Sequence, residues 1–562
     1  MPRTVTITKQ RFEEFRRNDL FYIDKTRFIQ KWWDAEEDVT LITRPRRFGK
    51  TLMLDTVKCF FSLHYAGQTD LFEGLAIWKD ERFHKLQGTM PVIALSFADI
   101  KSTTYETTRQ LINEKLEILF DDFDVLLDHS LFSDRDAARF ARVQKSMDES
   151  TAQTAVQNLS RFLVRQHYAK PLILLDEYDS PLEMAWLHGF WDELVAFMRG
   201  FFNATFKSNP YAGRCLMTGI TRVSRESLFS DMNNLDVVST TSDRYADCFG
   251  FTEDEVFLAM DEYGLTEKRK VKQWYDGFIF GKQSSMYNPW SIVNYLKNRK
   301  FADYWAKSSS HTLLGQLIGQ SGEEIKQETA ALLGGESIRV IVDEDIVFSH
   351  VYTVSGALWS LLMAAGYVKS LACNLETHEY TIALTNYEVF LIFKEMIANW
   401  FSNQKINPGK FRESLLSNNL YYMNESLRTI AENTFSFFDT SKKEPERFYH
   451  AFILGLIVDL DGRYTIKSNR ESGLGRYDII MIPEQKSDHG IIIEFKVYEA
   501  DKEKSLTDTC TNALRQICAK RYTSALKEHA VSSKNIYIYG FAFKGKEVLI
   551  CGGSEEEYAS FL

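Results

Sequence analysis

Two short runs bring together the residue types that phosphate chemistry needs, and the first lies near the N-terminus. Val39-Thr-Leu-Ile-Thr-Arg-Pro-Arg-Arg-Phe-Gly-Lys-Thr51 places Gly49, Lys50 and Thr51 directly after an apolar stretch. In a phosphate-binding loop the glycines let backbone N–H groups wrap the phosphates, the lysine meets the β/γ oxygens, and the hydroxyl ligates Mg²⁺. Where the general pattern opens with glycine this chain has Arg44, so the turn is made without glycine's freedom at positive φ. Arg44, Arg46, Arg47 and Lys50 also put four positive charges into seven residues. By itself the run reads equally well as a solvated basic turn; in the loop reading, Arg47 is a supporting cation.

Pro171-Leu-Ile-Leu-Leu-Asp-Glu-Tyr-Asp179 is an apolar strand ending in adjacent carboxylates. In a nucleotide hydrolase Asp176 would hold the Mg²⁺ shell, and Glu177 would polarise the attacking water as general base. A further strand, Cys215-Leu-Met-Thr218, ends in a hydroxyl followed by Gly219, which resembles the polar sensor beside the γ-phosphate in nucleotide hydrolases. Arg222 and Arg225 follow closely enough to reach phosphate, or to face solvent. Three such elements in this order favour a nucleotide site over a chance match.

The second run lies in the last third. Asp478 enters a strand, a polar turn over 483–490 reverses the chain, and Ile491-Ile-Ile-Glu-Phe-Lys-Val-Tyr498 returns. Strand period two projects Glu494 and Lys496 to one face and Ile493, Phe495 and Val497 to the other. Paired as a hairpin, these strands bring Asp478 within reach of Glu494. Two carboxylates are hard ligands for Mg²⁺ or Mn²⁺, and a neighbouring lysine can orient or deprotonate an attacking water. Glu-x-Lys alone is more often a solvated strand face. Its specificity comes from Asp478 and from a following helix that carries Gln516 and Lys520 on one face.

The phrases FYIDKTRFI, TRPRRFGKT, LLDEYDSPL, SLFSDMNNL, FGFTEDEV and WYDGFIFG…YNPWSI resemble the bacterial AAA-ATPase-like family. Its members usually carry a nuclease-like domain of the PD-(D/E)XK superfamily at the C-terminus. The resemblance covers residues 1 to about 300 and again about 440 to 525. The arginine at the first loop position is part of that family's own pattern. The resemblance implies ATP binding by Lys50, Thr51 and Asp176, and nuclease motifs on Asp478, Glu494 and Lys496, with Glu471 and Gln516 as supporting polar residues. Nuclease groups with a Gln-x-x-x-Tyr signature have tyrosine where this chain has Lys520; Tyr522 is displaced by two.

The elements that must position these residues follow from periodicity. The first half alternates short apolar runs (Val39–Thr43, Val92–Phe97, Leu172–Leu175, Cys215–Thr218) with amphipathic segments such as Thr107–Phe120 and Phe190–Phe206. That alternation argues for α/β layering, and the resemblance implies that it is a P-loop NTPase domain with a parallel sheet. Leu358–Gly366, Tyr367–Leu371, Tyr380–Leu384 and Tyr387–Phe401 read as helix, hairpin and helix, an order compatible with a winged-helix-like connector. The last part reads as a helix at Phe448–Leu460, strands at Tyr464–Ser468, Tyr477–Ile482 and Ile491–Tyr498, a helix at Ala513–Lys527 and a strand at Asn535–Phe543. For this part the resemblance implies a restriction-endonuclease-like α/β domain. The domains expected are thus 1–300, 301–410 and 411–562.

Composition sets the outer limits. The 562 residues, 44% hydrophobic and 14% aromatic, supply several cores and exclude a mainly disordered chain. A net charge of −10 excludes a globally basic nucleic-acid coat but not a local basic groove. Seven scattered cysteines without a Cys-x-x-Cys pair argue against a disulfide framework or zinc ribbon. The absence of an apolar N-terminal core and of any span-length apolar run predicts a cytoplasmic protein without membrane partners. His450, on an apolar helix, reads as an interior histidine rather than a ligand. The function expected is an ATP-binding, ATP-regulated, Mg²⁺-dependent DNA endonuclease in genome defence or DNA processing, with a homo-oligomer left open. The alternative is an ATP-driven switch whose nuclease-like domain binds nucleic acid or a partner without cutting.

Overall fold

The computed structural model describes the chain except residues 1, 167, 222–227, 230–231, 306–316, 319–322, 334, 344–355, 375, 403–407, 435–444, 458–459, 461–462, 473–474 and 562. The chain divides into two compact units. The first comprises Met1–Ser309, Val340–Tyr380 and Thr385–Glu388, and the second Ser310–Arg339, Thr381–Leu384 and Val389–Leu562.

The first unit is built on a five-stranded sheet: β1 (Val39–Thr43), β2 (Val92–Ser96), β3 (Leu172–Asp176), β4 (Cys215–Gly219) and β5 (Leu235–Val238). The order is β2-β3-β4-β1-β5, and every pairing is parallel. β1, β3 and β4 are buried at all five positions, as expected of parallel strands covered on both faces and therefore continuously apolar. The helix Lys50–Phe61 contributes Met53, Leu54, Val57, Phe60 and Phe61 to an aromatic-rich core with Phe12, Phe28, Trp32 and Phe72. All parallel strands point the same way, so the loops after β1, β3 and β4 gather at one edge of the sheet, where open α/β folds bind ligands. A small sheet of β6 (Phe251–Thr252), β7 (Phe278–Phe280) and β8 (Gln283–Tyr287) follows in the order β6-β8-β7. β5 lies in Leu235-Asp-Val-Val238, too short a run to stand out by alternation; the neighbouring strand supplies its partner.

Beyond residue 300 come β9 (Ile338–Ile341), the helix Ala357–Ala364, β10 (Val368–Asn374), β11 (Glu379–Leu384) and the helix Tyr387–Ser402. The second unit carries β12 (Tyr464–Ser472), β13 (Gly475–Pro483), β14 (Gly490–Val497), β15 (Ile536–Lys544) and β16 (Glu547–Ser554), in sequential order. Only β14 and β15 are parallel, and their crossover contains the helix Leu506–Ala519. Two cores flank this sheet. Ile479, Met481, Ile491, Ile493 and Phe495 face the core that includes Phe452 and Ile453, whereas Ile480, Ile482 and Ile492 face Leu514, Ile517 and Tyr522. The single helix expected over Ala513–Lys527 is instead two, Leu506–Ala519 and Ser524–Glu528. Ser505 Oγ caps the first by accepting the Asp508 N–H, and Arg521 at φ 54° ends the run.

Candidate functional site

The loop between β1 and the helix Lys50–Phe61 is pinned from its own start. Arg44, completely buried, sends its guanidinium to the carbonyls of Thr43 (2.8 Å), Val238 (3.3 Å) and Ser239 (2.7 Å), and lies 4.7 Å from the Phe280 ring centre. Burial lowers its pKa to about 10. The residue standing where a glycine is usual is therefore a tether between the ends of β1 and β5, a role its type alone did not announce. Arg47 (φ 66°) and Gly49 (φ +84°) both take left-handed backbone in the loop that leads into the helix, and only at Gly49 does the residue type favour it. Arg47 is exposed, with its guanidinium 4.5 Å from the Trp290 ring centre.

Lys50 is buried, and its Nζ donates to the carbonyls of Arg44 (2.8 Å) and Pro45 (3.0 Å). Burial lowers its pKa, opposed by the charges of Glu177, Asp179 and Asp176. Thr51 Oγ1 donates to Asp176 Oδ2 at 2.7 Å, and Thr218 Oγ1 donates to Asp176 Oδ1. Because β4 lies between β1 and β3, its terminal hydroxyl reaches the Asp176 carboxylate from one side while the loop helix reaches it from the other. Burial raises the pKa of Asp176, and these two hydroxyls oppose that shift. Glu177 follows in the left-handed region (φ 49°), accepts from Ser180 Oγ at 3.2 Å, and is only partly buried. Gly49, Lys50, Thr51, Asp176, Glu177 and Thr218 thus converge at the strand ends. Arg222 and Arg225 lie outside the described residues.

Asp179 is a functional-looking residue that sequence reasoning did not single out. Buried, it accepts the N–H groups of Ile220 (2.8 Å) and Thr221 (3.0 Å) and the Thr221 hydroxyl (3.2 Å). It ties the turn after β3 to the turn after β4. Its position as third acid in Asp-Glu-Tyr-Asp was the available signal.

In the second unit the ladder between β13 and β14 runs from Met481–Ile491 to Ile479–Ile493 and stops. At the next position the Asp478 carboxylate, through Oδ2, accepts the Phe495 N–H at 2.7 Å, in place of a backbone carbonyl. The strands part at the carboxylate. Glu494, buried, accepts from Gln516 Nε2 and lies 3.7 Å from Lys496 Nζ. Strand alternation sets Asp478 on the face of Ile480 and Ile482, and Glu494 and Lys496 on the face of Ile492, so all three share the side that receives the helix Leu506–Ala519. Gln516 comes from that helix, and its Nε2 also donates to the Tyr522 hydroxyl at 3.3 Å. The reversal at Arg521 is what brings the displaced tyrosine back; Glu494, Asp478 and Lys496 all act on its hydroxyl. Glu471 lies in β12 opposite Arg476; its side chain falls outside the described residues. His450 is buried beneath the site, with Nε2 3.1 Å from the Asp478 carbonyl oxygen, and burial drives its pKa down to about 4. The neutral ring at that distance acts as an Nε2–H donor, fixing the backbone of Asp478.

Both sites offer hard oxygen donors, Thr51 with Asp176 and Asp478 with Glu494, of the kind Mg²⁺ takes. Among the described residues no three or more His, Cys, Asp or Glu side chains cluster as a metal-binding group. Also among the described residues, no helix is long and apolar enough to cross a membrane.

Residues 6–229 match the family model described as Predicted AAA-ATPase, and residues 444–552 match that of the PD-(D/E)XK nuclease superfamily. A curated relative from Azotobacter chroococcum mcd 1, an uncharacterized protein in the vnfD 5' region, is 28% identical over 356 residues, 60% of this chain. The match spans 61% of that relative's length. Residues 6–229 are thus similar to an AAA-ATPase-like domain and residues 444–552 to a PD-(D/E)XK nuclease superfamily domain, and both likenesses are to enzymatic domains.

Proposed function

We propose that the chain is an ATP-regulated, Mg²⁺-dependent DNA endonuclease of the cytoplasm, serving genome defence or DNA processing. The carrying observation is that the β13–β14 ladder stops at Ile479–Ile493, where the Asp478 carboxylate accepts the Phe495 N–H on the sheet face that also carries Glu494, whose own carboxylate meets Gln516 and Lys496. A divalent ion held by Asp478 and Glu494 would supply Lewis-acid stabilisation of a phosphodiester. Lys496, close to Glu494 but with about a third of its side chain exposed, would orient the attacking water and offset charge on the phosphate. Gln516 would hold Glu494 in place.

In the first unit Thr51 and Asp176 would hold Mg²⁺, Lys50 would leave the loop carbonyls for the β/γ phosphates, and Glu177 would take the proton of the attacking water. Thr218 would keep Asp176 oriented. The proposed domains are 1–300, 301–410 and 411–562, with nucleic acid, most simply DNA, as the macromolecular partner. The test is nicking of supercoiled plasmid by the purified chain in Mg²⁺ or Mn²⁺, with and without ATP. Cleavage that needs the metal and changes with ATP supports the reading. No cleavage of any DNA or RNA under these conditions sinks it and leaves a nucleotide-driven binding switch.

A further inference from the structure

Two arginines follow Pro45 in the phosphate loop, and they point to different partners. Arg47 lies over Trp290 at the surface. Arg46 instead donates through Nη2 to Glu183 Oε2 at 2.8 Å, on the helix Ser180–His188 that begins just after Glu177. The Arg46 backbone is clamped, its carbonyl accepting from Asn288 Nδ2 (3.2 Å) and Trp305 Nε1 (3.1 Å). The loop backbone is thus fixed at Arg46 by its carbonyl, whereas the guanidinium is held through Glu183. Glu183, Tyr367, Asp179 and Glu177 all act electrostatically on this guanidinium, and it acts in turn on Lys50. It therefore shares one electrostatic environment with the loop lysine and with the carboxylate assigned as base.

Both cations rest on internal partners: Lys50 on two carbonyls, Arg46 on one carboxylate. The Arg46–Glu183 pair keeps 35% and 25% of its side-chain surfaces exposed, so it is partly open to solvent and within reach of an entering ligand. A terminal phosphate offers more charge and a bidentate fit to a guanidinium. We propose that Arg46 is an arginine sensor acting within the chain, exchanging Glu183 for the γ-phosphate of bound ATP and stabilising the charge that develops as that group is transferred. The inference rests on the ATP reading of the loop. In the step itself water attacks the γ-phosphorus, the bond from that phosphorus to the bridging oxygen breaks, the water proton passes to Glu177, and ADP carries off the electron pair. Arg46 exchanges no proton. Glu183 is the partner that takes Arg46 back once the γ-phosphate is gone, so the helix Ser180–His188 registers which nucleotide is bound.

The test measures binding of ADP and of a non-hydrolysable ATP analogue, and ATP turnover, on the intact chain and its Arg46→Ala, Arg46→Lys, Glu183→Gln and Lys50→Ala variants. Arg46→Ala should weaken the analogue by about tenfold while shifting ADP by no more than about twofold, and should lower kcat by about 10³-fold. Arg46→Lys should restore part of the affinity but little of kcat, because an ammonium lacks the planar fork. Glu183→Gln should tighten the analogue, the opposite sign, which a purely structural ion pair would not give. If Arg46→Ala and Glu183→Gln weaken both nucleotides alike, the sensor is overturned. It is equally overturned if Arg46→Ala turns over ATP at the wild-type rate. In either case Lys50→Ala, by failing to bind, would keep the ATP reading intact. Wild-type nucleotide binding by Lys50→Ala would overturn both.

Discussion

Lys50 Nζ rests on the carbonyls of Arg44 and Pro45, from which a phosphate can draw it without breaking an ion pair. Lys50→Ala should therefore abolish tight ATP binding, measured by equilibrium titration, whereas Glu177→Gln should bind ATP and lose turnover, since the amide keeps the shape and loses the basicity. His450 gives a pH prediction. Its pKa is about 4 in the folded chain against an ordinary 6.5, so between those values the unfolded chain binds the proton and the folded chain does not. Stability is then full above about pH 6.5 and is lost as pH falls toward 4, by roughly 3 kcal/mol. His450→Gln keeps an N–H donor for the Asp478 carbonyl and should remove that slope, read as hydrogen-exchange protection of β13 and β14 across the range. Most residues at both sites were legible from type and spacing. Arg44 was not, because its function depends on carbonyls of β5 almost two hundred residues away, and Asp179 was not, because the N–H groups it accepts belong to the turn after β4.

At the scale of elements, the helix Leu506–Ala519 must lie close against β15 for Gln516 to reach Glu494. Gly540 permits it: a Cβ there would stand 2.6 Å from the Cys510 carbonyl oxygen and 2.9 Å from Ala513 Cβ. Gly540→Ala must push the helix outward, and overpacking of this kind costs about 1–3 kcal/mol. The expected outcome is a lower melting temperature together with reduced cleavage; an unchanged melting temperature would contradict the packing described. The central strands were legible because buried parallel strands are unbroken apolar runs, as in Leu172–Leu175. β16 was missed because its apolar run, Val548–Cys551, is only four residues long and leads straight into Gly552 and Gly553; pairing with β15 makes it a strand. The break at Arg521 was missed because a left-handed arginine has no signature in sequence. The same break places Tyr522 against Gln516, two positions later than a regular helical spacing provides.

For the whole molecule, an acidic chain of net charge −10 that binds DNA must do so through local basic contacts, and most of that affinity comes from phosphate neutralisation rather than from the metal site. Binding and cutting should therefore separate on mutation. Lys496→Ala should hold DNA in a metal-free gel as the wild type does, yet cut poorly, because the cation beside the reacting phosphate is gone. The most direct measurement of the central claim compares wild type and Asp478→Ala for plasmid nicking in Mg²⁺ with ATP present, alongside DNA retention without metal. The account predicts equal retention and a loss of nicking of about 100-fold or more in the variant. Nicking by Asp478→Ala at the wild-type rate would contradict it.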